Sequence, residues 1–468
     1  MQSNYKMRIF VWGSILCIGL GSCSKLVKVG EPVNTITTTE TFGSDATATS
    51  AVIGIYNDIV TGNAGGGYQL SYGNGLIAIN AGMSADELHL FNGPSPFETN
   101  TLNIANFDSY DFWQNPYFDV YLANAVIEGS ANSTGMSVVA RNQLTGEAKF
   151  LRAFCYFYLV NLFGDIPLAL TTAYAKTDTL SRTPSNLVYQ QIIADLQDAA
   201  KLLSGDYSIS GGARIRVNQS GANALLARVY LYQKQWPQAE TAASAVIGNS
   251  LYSLVPDLNQ VFLANSPEAI LQWQLQANMY PYATMEGNTF VPADPSTPPN
   301  YFLTDQLLGS FEVGDQRKIA WIDSTNYSGT TYYYPYKYKV MVGSTGPITE
   351  YPMILRLAEQ YLIRAEARAQ QNNLTGAISD LDAIRVRAGL PTLSNSLTQS
   401  QILTAVMQER RIELLAEWGH RWLDLKRTDQ ADAILSPLKP TWQPSAKLYP
   451  IPPSEMTNDA NLTQNPGY

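Results

Sequence analysis

Charged side chains are scarce in this chain of 468 residues. Asp, Glu, Lys and Arg supply 15% of it, against about 25% in ordinary soluble proteins. Histidine and cysteine are scarcer still, with two and three residues. A Ser-His or Cys-His centre needs a base within hydrogen-bond reach of its nucleophile. His420 lies in a block that reads as a structural corner, and His89 follows Asp86 and Glu87 as a surface residue. A zinc site needs three or four His, Cys or carboxylate ligands at suitable spacing, and none is visible. There is no complete twelve-residue EF-hand loop, and Gly73-Asn-Gly-Leu-Ile-Ala78 has no βαβ setting to make it a dinucleotide fingerprint. These absences leave no expected metal or cofactor. After the N-terminus no segment has the roughly 20 uninterrupted apolar residues that a membrane-spanning helix needs. Positive charge is also short. The formal net charge of −9 and pI near 4.9 repel phosphate backbones and argue against nucleic acid as a partner.

The polarity that remains is uncharged: Ser, Thr, Asn, Gln and Gly, with 28 Tyr. Amides and hydroxyls beside aromatics suit neutral, hydroxyl-rich ligands, although Tyr also fills helical cores. At the N-terminus Lys6 and Arg8 precede a short apolar stretch, Ile9 to Leu20, and then Leu20-Gly-Ser-Cys23. Such a run is too short to span a bilayer and reads as a signal peptide, residues 1–22. Small residues ending at a cysteine resemble a bacterial lipobox, with cleavage before Cys23 and acylation of its thiol. Residues 23–47 are then expected as lipidated cysteine and tether, and 48–468 as one domain. Cys17 leaves with the signal peptide. Cys155 stands alone in an apolar run, so no disulfide framework is expected, and it reads as a small buried hydrophobe.

Helical periodicity dominates the domain. Ala51, Ile55, Ile59 and Val60 predict a helix over about 46–61. From Gln143 to Phe163 the pattern is apolar almost all round, so that helix is expected to be buried, with Gly164 as its cap and Pro167 forbidding continuation. Further helices are predicted from Ser185, from Asn218 and from Trp236, and a second Ala-rich pair over 356–370 and 374–388. Ala-rich helix, short turn, Ala-rich helix is the grammar of tetratricopeptide stacking, without a strict 34-residue period. Two stretches break the pattern: a loop-rich region of about 62–113, and a Pro- and Tyr-rich one of about 253–351. The second contains Ile270-Leu-Gln-Trp-Gln-Leu275, which alternates as a strand does. Irregular segments on a regular scaffold are where binding usually sits.

Four blocks carry a resemblance. They are Ala148-Lys-Phe-Leu-Arg-Ala-Phe-Cys-Tyr-Phe-Tyr-Leu-Val-Asn-Leu-Phe-Gly-Asp-Ile-Pro-Leu168, Ile354-Leu-Arg-Leu-Ala-Glu-Gln-Tyr-Leu-Ile-Arg-Ala-Glu-Ala367, Glu409-Arg-Arg-Ile-Glu-Leu-Leu-Ala-Glu-Trp-Gly-His-Arg-Trp-Leu-Asp-Leu425, and the tail Lys447-Leu-Tyr-Pro-Ile-Pro-Pro-Ser-Glu455. In this order they resemble the SusD/RagB family of nutrient-binding outer-membrane lipoproteins. The resemblance implies a mainly α fold, a right-handed tetratricopeptide-like superhelix supporting a loop-rich region with a few short strands. It also implies a lipid-anchored protein of the outer membrane, facing the outside. Its implied role is to bind oligosaccharide and deliver it to a SusC-like TonB-dependent transporter. The lysines after Cys23 depart from the acidic residues common there in surface-exported lipoproteins. Peptide or protein cargo, and a tetratricopeptide scaffold without small ligand, are the alternative readings.

The charged blocks read as structural. Arg410 and Glu413 are spaced to pair within one helix, and Arg421 and Asp424 to lock a corner after Gly419. A glycosidase would need two facing carboxylates, and Asp86, Glu87, Glu98, Asp305, Glu312 and Asp315 lie in the irregular regions. For sugar binding, a flat aromatic face beside hydrogen-bonding groups is required. The expected ligand-binding residues are Tyr68, Tyr72, Phe91, Asn92, Tyr280, Trp321 and Tyr333. The resemblance transfers no site residue, because the family's sites lie in its variable loops.

Overall fold

Residues 138–163 form a helix with apolar or small residues on every side, and such a helix can lie only at the centre of others. In the computed structural model, which describes residues 37–62, 70–107, 110–275, 282–341 and 347–468, it does so. Phe150, Phe154, Tyr156, Phe157 and Phe163 are all fully buried along it. Gly164 ends it with φ +76°, its N–H donating to the Val160 carbonyl at 3.0 Å.

Counting helices of eight residues or more among the described residues, the order is α1 (Asp45–Thr61), α2 (Leu76–Ser84), α3 (Asn115–Asn132), α4 (Val138–Phe163), α5 (Ser185–Leu202), α6 (Gln219–Tyr232), α7 (Trp236–Ile247), α8 (Leu357–Gln370), α9 (Leu374–Arg387), α10 (Gln399–Glu413) and α11 (His420–Arg427). From α3 to α9 each helix packs on the next in the series, and α10 returns onto α8. The pairs α6–α7 and α8–α9 meet through fully buried alanines, Ala224, Ala227 and Ala239 in the first and Ala365, Ala369 and Ala377 in the second. Small side chains allow this close approach. The caps are those the sequence promised. The Asn218 side chain accepts from Gly221 N–H at 2.9 Å, and Pro237 sits in the first turn of α7, where its missing N–H costs nothing.

Three departures from expectation concern boundaries and pairing. Residues 37–47 are not tether. A capping box joins Thr37 and Glu40 at the start of a short turn of helix, Asp45 accepts from Ser137 N–H at 2.7 Å, and Phe42 is buried. The folded body therefore begins by Thr37. The 62–113 region holds α2, whose Leu76-Ile-Ala-Ile run is buried on nearly all sides. Arg410 and Glu413 do not pair with each other. Arg410 donates to Asp424 at 2.7 Å, while Glu413 receives Arg356 at 2.6 Å, Arg317 at 3.0 Å and Arg387. Tertiary partners outcompete the local one because each is desolvated and needs a fixed countercharge.

Among the described residues, six short strands make three antiparallel pairs: β1 (Leu88–Leu90) with β3 (Tyr301–Leu303), β2 (Ala269–Gln272) with β6 (Met353–Arg356), and β4 (Ile322–Tyr327) with β5 (Thr330–Pro335). The β2–β6 pair is wholly buried. Tyr449 to Pro452 form an extended strap ahead of the short helix Pro453–Asn458. Tyr449 N–H donates to the Leu162 carbonyl at 2.8 Å, its ring packs among Phe97, Phe107 and Phe112, and Asn465 caps the Phe163 and Tyr449 carbonyls.

Candidate functional site

Ser328 and Gly329 join β4 to β5, both with positive φ (+51° and +83°), as a two-residue hairpin turn of the favoured twist demands. That turn fixes the register Thr325↔Tyr332 and Tyr327↔Thr330, and alternation then sends Thr325, Tyr327, Tyr332 and Tyr334 to one face. On that face the hairpin meets β1 and β3. There, His89 lies opposite Phe302 in the ladder, and the Phe91 N–H extends it by donating to Asn300 at 2.9 Å.

The result is a continuous run of five rings. His89 lies 5.1 Å from Phe302, Phe302 5.1 Å from Tyr332, Tyr332 5.3 Å from Phe91, and Phe91 5.8 Å from Tyr327. Phe91 meets both tyrosines edge-on, an arrangement favoured by the ring quadrupoles. Tyr327 and Asn92 are exposed, and Phe91, Phe302 and Tyr332 are half-buried. At its His89 end the run opens on a cavity of about 200 Å³, lined by His89, Glu98, Thr99, Gln306, Leu438 and Thr441 among others.

Both carboxylates lining that cavity are committed. Burial pushes Glu98 upward, but hydrogen bonds from His89 Nδ1 at 2.7 Å and Leu90 N–H at 3.1 Å hold it below its ordinary value. Burial likewise raises Asp86, and is outweighed by Arg421 and Arg411, each at 2.7 Å. Neither carboxyl is kept protonated as a general acid would be. Glu87 is pushed up to about 8 by burial and by the neighbouring Asp86 charge, but it is enclosed in the core and does not line the cavity.

The expected site residues divide sharply. Phe91 and Asn92 are at this surface. Tyr333 is exposed but points from the opposite face of the hairpin to Tyr332. Tyr72 and Trp321 are core residues, at 1% and 0% exposure. Tyr72 donates to Asp119 and lies 3.4 Å from the sulfur of buried Cys155. Trp321 donates from Nε1 to the Leu258 carbonyl at 3.0 Å, with the Lys337 ammonium 4.6 Å from its ring. Trp321 is enclosed although Lys318, Asp323 and Ser324 near it in sequence are exposed, because its ring turns inward among Phe262, Lys337 and Arg356. Tyr68, Tyr280 and Cys23 lie outside the described residues. The sequence reading missed Phe302, Tyr327 and Tyr332. The Ser328-Gly329 turn between two alternating segments was the available signal, since it sets which tyrosines share a face.

A stack of paired helices carrying a small, aromatic-faced β appendage defines an α-helical repeat protein with its variable surface on inserted segments. Comparison with known proteins narrows this class. The profile described as SusD family matches residues 276–468, and the one described as starch-binding, associating with outer membrane, matches residues 85–231. The chain belongs to the SusD/RagB family, a carbohydrate-binding family associated with the outer membrane. It is 29% identical over 417 residues to SusD-like protein P2 of Formosa agariphila, covering 76% of this chain and 80% of that one. It is 23% identical to the starch-binding protein SusD of Bacteroides thetaiotaomicron, over 71% of this chain and 74% of that one. Among solved structures, a laminarin-binding SusD-like protein superposes with a TM-score of 0.75 at 25% identity, covering 90% of this chain and 99% of that one. A SusD superfamily protein from Parabacteroides distasonis gives 0.78 at 23% identity, covering 93% and 100%. The mainly α, tetratricopeptide-like fold expected from the helix pairs is the fold of these relatives.

Proposed function

We propose that this protein captures neutral oligosaccharide on the five-ring run from His89 to Tyr327 and passes it, chemically unchanged, to a SusC-like TonB-dependent transporter. The lipid on Cys23 would hold it to the outer membrane, facing outward. The ring run is the observation that carries the reading. A pyranose offers an apolar C–H face and a rim of hydroxyls. Half-buried aromatics answer the first, and Asn92, Thr99 and Gln306 beside them answer the second. The starch- and laminarin-binding names of two relatives point to glucans as first probes. Committed carboxylates in the adjoining cavity favour capture over cleavage.

The test is affinity electrophoresis of the soluble form from Ser24 onward, which keeps every described residue, through native gels containing starch, laminarin or other polysaccharides. Retardation by one polymer is expected, with Phe91→Ala weakening binding about tenfold, the worth of one stacking contact of roughly 1.4 kcal/mol. Retardation that Phe91→Ala and Tyr327→Ala leave unchanged would remove the site from this surface. Capture of peptides and of no polysaccharide would replace the ligand class.

A further inference from the structure

A second concavity lies elsewhere on the scaffold, between α3, the connection that follows α4, and residues 455–462 of the C-terminal segment. It measures about 520 Å³, within the roughly 300–1,000 Å³ of small-molecule sites, and shares no lining residue with the cavity beside His89. Its floor is Trp113 and Tyr117, rings 5.0 Å apart. The Tyr117 hydroxyl is spent on the Pro167 carbonyl at 2.8 Å, which fixes the ring in the groove's lining. Two further tyrosines line the groove with much of their surface in solvent, Tyr121 at 50% and Tyr174 at 76% exposure.

The polar groups on the rim are chiefly acceptors. Glu455 receives a long bond of 3.4 Å from Gln114, and Asp459 one of 2.9 Å from the Asn461 N–H. A carboxylate offers about four acceptor sites, so both keep capacity for incoming hydroxyl donors. The negative charge turns anions away. Arg182 acts on the Tyr117 hydroxyl in the sense opposite to Glu455, so part of that negative charge is offset. What fits is a neutral molecule with an apolar face and many hydroxyl donors.

We propose that this groove is a second oligosaccharide-binding site, separate from the ring run. The ligand class rests on the reading given above, whereas the location rests on the groove alone. The test is isothermal titration of the soluble form with starch and laminarin oligosaccharides. Wild type is expected to take up two equivalents. Tyr121→Ala combined with Tyr174→Ala, both at exposed positions that folding does not require, should leave one, with the affinity of the other site within about twofold. Phe91→Ala should weaken the complementary one about tenfold and leave the groove's affinity within about twofold. A single equivalent that survives the Tyr121/Tyr174 replacement would overturn the second site and leave the ring run standing. A single equivalent lost with Tyr121 and Tyr174 but indifferent to Phe91→Ala would do the reverse. No uptake of either sugar series, or uptake of a lysine oligopeptide in their place, would overturn both.

Discussion

Glu87 is a carboxyl with almost nowhere to put a charge. It sits in the core between Asp86 and the strand that begins at Leu88, with one oxygen lacking any hydrogen-bond partner. Burial is the first cause of its elevation to about 8, and Asp86 adds to it. Because the folded value exceeds the ordinary one near 4.5, the folded state binds the extra proton between those limits. The stability contribution is complete below about pH 4.5 and is lost as pH rises through about 8. Glu87→Gln removes the penalty. It should raise stability at pH 8 by on the order of a few kcal/mol and flatten the urea midpoint between pH 5 and 8. A profile with the same slope in both proteins would show that Glu87 ionises freely. Trp321 teaches the opposite lesson at this scale. Its polar neighbours in sequence, such as Lys318 and Asp323, stay exposed, while the Trp321 ring turns inward beside Lys337 and Arg356, which come from elsewhere in the chain.

At the scale of elements, the joint between α10 and the β appendage is electrostatic. Glu413 receives three arginines, from β6, from α9 and from the segment before β4, and Lys337 donates to its carbonyl at 2.8 Å. Burial would raise Glu413, but Arg387, Arg356 and Arg317 together drive it well below the ordinary range. Glu413→Gln leaves those cations short of countercharge. The expected loss is about 3–5 kcal/mol, read as a lower urea midpoint at unchanged m-value; a loss under about 1 kcal/mol would mean that water or Glu417 takes over. The helices were legible in the sequence because their caps and alanine faces are local: Asn218, Pro237 and Gly164 each act within one turn. The partners of Arg410 and Glu413 were not, since a spacing of three residues names a possible neighbour but cannot weigh it against residues 14 to 96 positions away. The ring run was half legible. Phe91 is on it as expected from the sequence, while Tyr333 stands one position from Tyr332 and so on the other face of the hairpin.

The molecule as a whole carries a net charge of −9, with many of its charged groups tied in buried pairs. Long-range attraction therefore has little part in recognising a neutral ligand. Raising salt from about 50 to 500 mM shortens the screening length more than threefold, yet sugar affinity should stay within about twofold, measured by titration at both ends. A tenfold fall would reveal ion pairing at the site. Gly419 shows how closely the scaffold and the variable region are joined: it opens α11 at φ +68°, and a side chain there would meet Ala81 of α2 at 2.5 Å.

The hairpin that carries Tyr327 and Tyr332 is rooted at both ends and free at its tip. At one root Trp321 is pinned in the core, at the other Tyr336 N–H donates back to the Trp321 carbonyl at 2.7 Å, and Lys337 anchors to α10. Between these fastenings only Ile322–Pro335 intervene. Such a segment is a cartridge. Exchanging the exposed residues of its tip, Asn326 to Thr331, would redraw the aromatic surface while Ile322, Thr325 and Tyr334 keep their buried places.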